Sequence, residues 1–377
     1  MRICFVNDYF LKDPTATITG PMVQTYLLGE GLAKRGWNVD YVATTHSNRA
    51  GTTENHGGIQ VRYLKADRWE FGSAWRIQKE LSAVRADVFY QRGRSMLTYL
   101  ASKAARRCRG RFIWASSGEG GCRRGKYMRQ QLGKKKGLKR MIYRPIYALA
   151  DRAYEAGIES ADVVLVQTDF QRKELETEFN RNATIFRSGQ PVPPVSVLEK
   201  PQPPVVLWIG ALKPAKQPEM FLELAESCSQ LDARFLMVGR ADDARWRSRL
   251  TEVAKRSAKF CYRDEVPFEQ VSPVFAEASV LLNTTVADYE GLPNAFIQAW
   301  LHGVPVVSLH ADPDGLLGLE GIGFCAHTFE GLLERTKYLL LRPEERERMG
   351  KKARVLAEKE FGLDDILSRF ERVAAGS

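Results

Sequence analysis

The sequence is poor in the cysteine chemistry that would fix a small secreted scaffold or a zinc module. Its six cysteines, Cys4, Cys108, Cys122, Cys228, Cys261 and Cys325, are scattered, with no C-x-x-C pair and no histidine cluster beside them. That pattern speaks against a disulfide framework or a structural zinc site and for free thiols in a reducing compartment. No apolar run approaches the roughly 18–20 residues that a membrane span needs. Met1 and Arg2 lead straight into Ile3-Cys4-Phe5-Val6, without the charged and apolar regions of a secretory signal. A cytoplasmic chain is expected, soluble or lying on the inner face of the plasma membrane without crossing it. No G-x-G-x-x-G follows the first apolar run, which disfavours a nicotinamide enzyme. No Asp-x-Asp signature falls in a plausible site, which agrees with chemistry that uses no metal ion or other cofactor, since cationic side chains can take the place of Mg²⁺. Nor is there a recognisable DNA- or RNA-binding motif, and nucleic acid is not expected as a partner.

What is present is a 377-residue chain, 44% hydrophobic and 27% charged. This is ordinary globular composition and more than one core usually serves, so two domains are expected. The formal net charge of +11 calls for an acidic partner, such as nucleotide phosphates or anionic lipid headgroups.

Short apolar runs at 3–6, 39–43, 61–64, 88–90, 112–115 and 163–167 read as strands, and 22–35, 95–107 and 147–160 carry helical spacing. Six prolines crowd 189–204 and read as a linker. The pattern then restarts, with strands at 205–209, 234–238, 280–283 and 304–308 and helices at 218–229, 245–255 and 294–302. A charged helical tail over 342–376 is broken at Gly350 and Gly362. Strands alternating with helices predict an α/β fold of two Rossmann-like, mostly parallel sheets whose carboxyl ends face a central cleft. The expected domains are 1–190, a hinge at 191–204, and 205–377, with the final helix free to pack back on the first.

The richest segment follows Val280-Leu281-Leu282. A polar turn carries Glu290, Gly291, Leu292 and Pro293, and a helix opens at Asn294. Backbone N–H groups at such a helix start suit a diphosphate, and a carboxylate just before it can accept sugar hydroxyls. Gln298, four residues past Asn294, shares its helix face. The competing reading is that Glu290 and Asn294 merely cap the helix.

Glu290-Gly291-Leu292-Pro293-Asn294-Ala295-Phe296-Ile297-Gln298-Ala299-Trp300, followed by His302-Gly303-Val304-Pro305-Val306-Val307-Ser308, resembles the signature of the retaining, GT-B-fold glycosyltransferases of family 4 (glycosyl transferases group 1). The resemblance implies that Glu290 contacts the donor sugar. It also places Gln298 at the ribose, where the family has a second Glu. An amide still exchanges hydrogen bonds with hydroxyls. A second match is Trp208-Ile209-Gly210-Ala211-Leu212-Lys213-Pro214-Ala215-Lys216. It keeps the family's Gly210 and diphosphate-gripping Lys216 but has Ala211 where an Arg is usual, with Lys213 close enough to supply the missing charge. Lysines in such a loop can also be merely solvated.

The resemblance further implies that the nucleotide lies over Gly239 and Arg240, with base contacts through the backbone at Tyr262 and Arg263. Gly20, in Thr19-Gly20-Pro21, is similar to the family's Gly-rich loop, although a plain turn reads equally well. Glu119, after the strand at 112–115, resembles the acceptor-side acid loosely, beside the alternative of a solvated carboxylate. On this reading the catalytic set is Glu290, Lys216 and Glu119. The reaction is metal-independent, retaining transfer of a hexose from a nucleoside-diphosphate sugar to a glycan or lipid-linked acceptor in cell-surface polysaccharide biosynthesis. A nucleotide-sugar epimerase of the same architecture is an alternative. A catalytically weak binding scaffold is another, motivated by Ala211 and Gln298.

One stretch stands apart. Residues 106–144 hold fourteen Lys and Arg against the lone acid Glu119, interleaved with Tyr127, Met128, Leu132, Leu138, Met141, Ile142 and Tyr143. It suits an anionic membrane surface, and equally a solvated helix face.

Overall fold

The computed structural model describes residues 1–66, 72–195, 200–241, 243–287 and 289–376. The chain divides into two compact units, residues 1–189 with 363–377, and residues 190–362.

The first unit opens with β1 (Arg2–Asn7), α1 (Gly20–Lys34), β2 (Asn38–Thr45), β3 (Thr53–His56) and β4 (Ile59–Lys65). It continues through α2 (Ala74–Val84), β5 (Val88–Arg92), α3 (Met96–Cys108) and β6 (Arg111–Ala115). Then come α4 (Lys126–Gly133), α5 (Leu138–Glu159), β7 (Val163–Val166), α6 (Asp169–Phe179) and β8 (Thr184–Ile185). The strands form one eight-stranded sheet in the order β3-β4-β2-β1-β5-β6-β7-β8, parallel throughout except for the hairpin of β3 on β4. The chain order reverses between β1 and β5, which pair directly. Two strands of this sheet carry no apolar run: β3 is Thr-Glu-Asn-His, and β8 is two exposed residues.

The second unit holds β9 (Val205–Ile209), α7 (Pro218–Ser227), β10 (Arg234–Val238), α8 (Ala244–Arg256), β11 (Phe260–Arg263), α9 (Val271–Glu277) and β12 (Val280–Asn283). It is completed by α10 (Asn294–Leu301), β13 (Val306–Ser308), α11 (Leu316–Leu319), β14 (Gly323–Cys325), α12 (Phe329–Leu341) and α13 (Pro343–Phe361). The sheet order is β11-β10-β9-β12-β13-β14, all parallel, and here the order reverses between β9 and β12. Along β9, Val205 and Leu207 pack into one layer while Val206 and Trp208 pack into the opposite one. A strand covered on both faces reads as an unbroken apolar run, which is why its bounds are visible in sequence.

The last helix, α14 (Leu363–Ala375), belongs to the first unit, a placement the sequence left open for it, and the second unit ends at 362. Its apolar stripe Ile366, Leu367, Phe370 and Ala374 is buried. Phe370 meets the rings of Tyr90 and Phe186 edge-on, with centroids 5.6 and 5.9 Å apart. Arg35 Nη1 and Trp37 Nε1 hold Glu371 at 2.8 and 2.9 Å. Leu367 lies against Gly31, where an added Cβ would meet its methyls. The start of the Pro-rich stretch is fastened to the second unit. Gln190 N donates to Phe361 O at 2.9 Å, and Arg354 Nη2 donates to Pro193 O at 2.7 Å.

Candidate active site

In an open parallel sheet the natural binding place lies beyond the carboxyl ends of the two strands at which the order reverses. In the second unit those strands are β9 and β12. β9 leaves through Gly210 into a loop that closes with a short 3-10 turn, Pro214–Lys216. β12 ends at Asn283 and is followed by Thr284 and Thr285. The two loops are stitched together. Trp208 Nε1 donates to Thr284 Oγ1 at 2.8 Å, Thr284 Oγ1 donates to Lys216 O at 2.6 Å, and Val286 N donates to Ala215 O at 3.0 Å.

That stitching places Lys216 against Glu290. Lys216 Nζ donates to Glu290 Oε1. Glu290 Oε2 accepts from Thr285 Oγ1 at 2.9 Å and from Asn283 Nδ2 at 3.2 Å. Asn283 is oriented in turn, its Oδ1 accepting from Thr285 N at 3.2 Å and from Ser308 Oγ at 3.3 Å. The side chains of Lys216 and Glu290 keep 21% and 17% of their surface exposed. They are therefore partly desolvated, which strengthens their attraction, yet still reachable by a ligand. Sequence assigned these two residues to separate tasks. The structure joins them as one ion pair, with Asn283, Thr284, Thr285 and Trp208 as supports that had gone unassigned. The signal was available: three polar residues run directly off a buried apolar strand.

Neighbouring positions divide into those that face this end of the sheet and those that do not. Gly210 and Gly239, at the ends of β9 and β10, are in close approach. Gly239 has φ +154, and an added Cβ would run into the Gly210 carbonyl. Only glycine fits there. Tyr262 Oη donates to Gly239 O at 2.8 Å and braces that turn, while Arg240 stands exposed after it. Lys213 is exposed at the head of the 3-10 turn. The Arg263 guanidinium makes two parallel bonds to Glu277 at 2.7 and 2.8 Å, so only its backbone is left for the nucleotide contact expected there. Leu292, also expected at the donor, is buried in the core with Phe296 and Ile297 and anchors the turn from inside. Gly291 and Pro293 are buried beside it.

α10 begins after Pro293 with no side-chain cap. The carboxylate of Glu290 is engaged by Lys216, Thr285 and Asn283, so the reading of Glu290 as a mere cap does not hold. Asn294 opens α10, and Gln298 lies half-buried one turn further on. The Gln298 carbonyl holds His302 Nδ1 at 2.7 Å. Burial lowers the His302 pKa to about 4. Asp312, in the loop after β13, accepts from Leu317 N at 3.0 Å, and desolvation raises its pKa. Among the described residues no group of three or more His, Cys, Asp or Glu is placed to hold a metal ion.

The first unit has its own feature at the corresponding reversal. A cavity of about 680 Å³ opens beyond β1 and β5, lined among others by Asn7, Thr19, Gln91, Arg92, Arg94 and Ser117. Gly20 is the exposed first residue of α1, whose N-cap Thr19 makes no capping bond. Glu119 opens a 3-10 turn, Glu119–Cys122, beyond β6 and is half-buried.

The basic stretch is split by the fold. Arg123 pairs with Glu174, and Arg124 with Glu155 and Glu159. Lys126 is largely buried, which lowers its pKa. Lys134, Lys136, Lys139, Arg140 and Arg144 stay exposed around the first half of α5. There Leu138, Met141, Ile142, Ile146 and Leu149 also face solvent, Leu138 and Met141 at 70% and 72% exposure.

HepE from Anabaena, solved in complex with UDP and glucose, superposes with a TM-score of 0.67 at 12% identity over 100% of both chains. A glycosyltransferase from Rickettsia africae gives 0.67 at 13% identity, over 99% of this chain and 97% of that one. An α,α-trehalose 6-phosphate synthase from Burkholderia multivorans gives 0.68 at 11% identity, over 100% and 96%. At such identities the likeness defines the fold: two Rossmann-like units of the GT-B class.

Family models go further. Residues 203–340 match the glycosyl transferases group 1 model, and residues 19–186 match a glycosyl transferase 4-like domain. Together they span most of the chain, which belongs to the group 1 glycosyltransferases and is a transferase. No curated protein sequence matches it. Among the described residues, no helix is long and apolar enough to cross a membrane.

Proposed function

We propose that the chain transfers a hexose from a nucleoside-diphosphate sugar to an acceptor hydroxyl on a glycan or lipid-linked glycan, with retention of configuration and without a metal ion. The observation that carries this reading is the Lys216–Glu290 pair, held by Thr285 and Asn283 where the order of the second sheet reverses. A departing diphosphate gathers negative charge, and a preplaced ammonium stabilises it more in the transition state than in the bound donor. Lys216 takes that role, with Lys213 in the same loop. Engaging the diphosphate loosens Lys216 from Glu290, which frees a carboxylate oxygen for the sugar hydroxyls. Gly210 and Gly239 keep side chains out of the way of the nucleotide, and Gln298 receives the ribose. HepE has been solved with UDP-glucose, which supports a nucleotide-sugar donor here too. Glu119 is the acceptor-side acid of this scheme.

The test incubates purified protein with nucleotide sugars, with and without candidate acceptors, and resolves products by NMR. An α-configured donor giving an α-linked product supports the proposal. An epimerised donor without transfer overturns it in favour of an epimerase, and no turnover with retained nucleotide binding favours a scaffold.

The exposed stripe on α5 supports a second element, contact with an anionic leaflet in cell-surface polysaccharide assembly. Leu138, Met141, Ile142, Ile146 and Leu149 recur at helical spacing among five exposed cations. An interfacial helix needs that combination, since apolar residues enter the headgroup region while Lys and Arg meet the phosphates. Flotation with phosphatidylglycerol vesicles but not with phosphatidylcholine vesicles is the expected result. Equal behaviour with both removes this element.

A further inference from the structure

The cavity of the first unit contains an arginine whose charge the fold leaves unmatched. Arg92 and Arg94 both line it. Arg94 is neutralised: its Nη2 lies 2.5 Å from Asp151 Oδ1 and 2.7 Å from Glu155 Oε1. Arg92, two residues earlier, has only neutral company. Its Nη2 donates to Ser188 Oγ at 2.9 Å, and its Nε is buried with no partner. Ser188 Oγ in turn donates to Gln167 Oε1 at 2.8 Å. The Tyr90 hydroxyl is also within the influence of Arg92. Among the described residues Arg92 forms no ion pair. A partly buried guanidinium without a counter-ion is costly, and a ligand that supplies the missing charge offsets that cost.

The surroundings agree on the sign of that ligand. The cavity sits at the order reversal of its sheet, where β1 and β5 part. Two helix N-termini meet it, through Thr19 and Pro21 of α1 and through Ser95 and Met96 of α3. α3 is closed by a capping box, whereas no side chain caps α1. Helix starts favour negative charge. Hydroxyls and amides of Thr15, Thr17, Asn7, Gln91 and Ser117 also line it, and among the described residues Asp8 is its one carboxylate. At about 680 Å³ the cavity has room for a hexose together with an anionic substituent.

We infer that this cavity is the acceptor subsite and selects acceptors bearing an oxyanion, a phosphate or a carboxylate, with Arg92 as the residue that confers the preference. The inference rests on the transferase reading above and names the chemical class of its second substrate. Arg92 acts in specificity. The diphosphate chemistry stays with Lys216 and Glu290 in the other unit.

The test is binding to the full chain without nucleotide, followed by calorimetry and thermal shift. The probes are glucose, glucose 6-phosphate, glucuronate and inorganic phosphate. Glucose 6-phosphate and glucuronate should bind at least tenfold more tightly than glucose, and more weakly as salt is raised. Phosphate binding alone identifies the oxyanion as sufficient. Phosphate failing while the anionic sugars bind shows that the sugar ring contributes. Both outcomes support the subsite.

Arg92→Gln should abolish the preference while retaining UDP binding as evidence of a folded chain, and Arg92→Lys should restore part of it. Lys216→Ala should leave the preference intact. If Arg92→Gln does not fold, the salt dependence of the unmodified chain still decides. Anionic sugars binding no better than glucose, while a nucleotide sugar still binds, would overturn the anion subsite and spare the transferase reading. Loss of anion binding in Lys216→Ala but not in Arg92→Gln would place the anion at the diphosphate position and overturn the inference as well.

Discussion

The two units solve the same architectural problem and finish it differently. Each is a largely parallel sheet whose strand order reverses at its centre, and each gathers polar residues beyond the strands at the reversal. In the second unit that region is closed on itself: Trp208, Thr284, Lys216, Glu290, Thr285, Asn283 and Ser308 form one hydrogen-bonded chain. In the first unit it is open, a cavity of about 680 Å³ with one unmatched arginine. The backbone frame thus says little about chemistry, and the loops that leave the strands say most of it. On the proposed reading, a diphosphate site needs preset charges, whereas a second-substrate site needs room.

The largest effect is expected where the second unit is closed. Glu290→Ala and Lys216→Ala should each lower turnover by roughly two to three orders of magnitude, as removal of a preorganised charge does. Circular dichroism should remain unchanged, because both side chains are partly exposed. Steady-state kinetics with matched melting curves check this, and near-normal turnover in both variants would break the comparison.

Next is Gly239→Ala, which drives a Cβ into the Gly210 carbonyl and should cost about 3 kcal/mol. The matched change in the first unit, Gly36→Ala, meets nothing within 4 Å at φ +85 and should cost about 1 kcal/mol, from backbone strain alone. Urea titrations of the two variants give the difference directly.

The pH dependence comes third. His302 is 4% exposed, its pKa lowered from 6.5 to about 4 by burial. The folded form therefore holds this ring neutral while the unfolded chain protonates it. The contribution is complete above the unfolded value of 6.5 and is lost as pH falls toward about 4, a change of roughly 3 kcal/mol. His302→Gln should flatten that limb of the stability curve. The smallest effect on stability belongs to the first unit's surface. Met141→Ser with Leu149→Ser should change unfolding by less than about 0.5 kcal/mol while removing flotation with anionic vesicles.

How much of this could be read in the sequence also differs between the units. Strands 205–209, 234–238 and 280–283 coincide with β9, β10 and β12, because each is buried on both faces and appears as one apolar run bounded by polar residues. In the first unit, β3 and β8 gave no such run, and the length of α5 was hidden because its first half faces solvent. The tail was recognisably helical, but an amphipathic stripe does not name its partner, and only the structure places α14 on α1 and β5. The segment around Glu290 stood out because a helix start, a carboxylate and a buried strand coincide there. The Lys216–Glu290 contact links residues 74 positions apart and is set by the pairing of β9 with β12, which no local pattern specifies. The side-chain partners of Arg263 and Leu292 were hidden for the same reason: Glu277 and the core around Phe296 are brought in by tertiary packing.

The most direct measurement is a calorimetric titration of UDP-, GDP- and ADP-glucose into the unmodified chain, Lys216→Ala and Glu290→Gln. At least one nucleotide sugar should bind the unmodified protein. Lys216→Ala should weaken both that sugar and its free diphosphate by tenfold or more, and Glu290→Gln should weaken only the sugar. Binding that is absent throughout, or that survives unchanged in both variants, would contradict the assignment of the donor to the end of the second sheet.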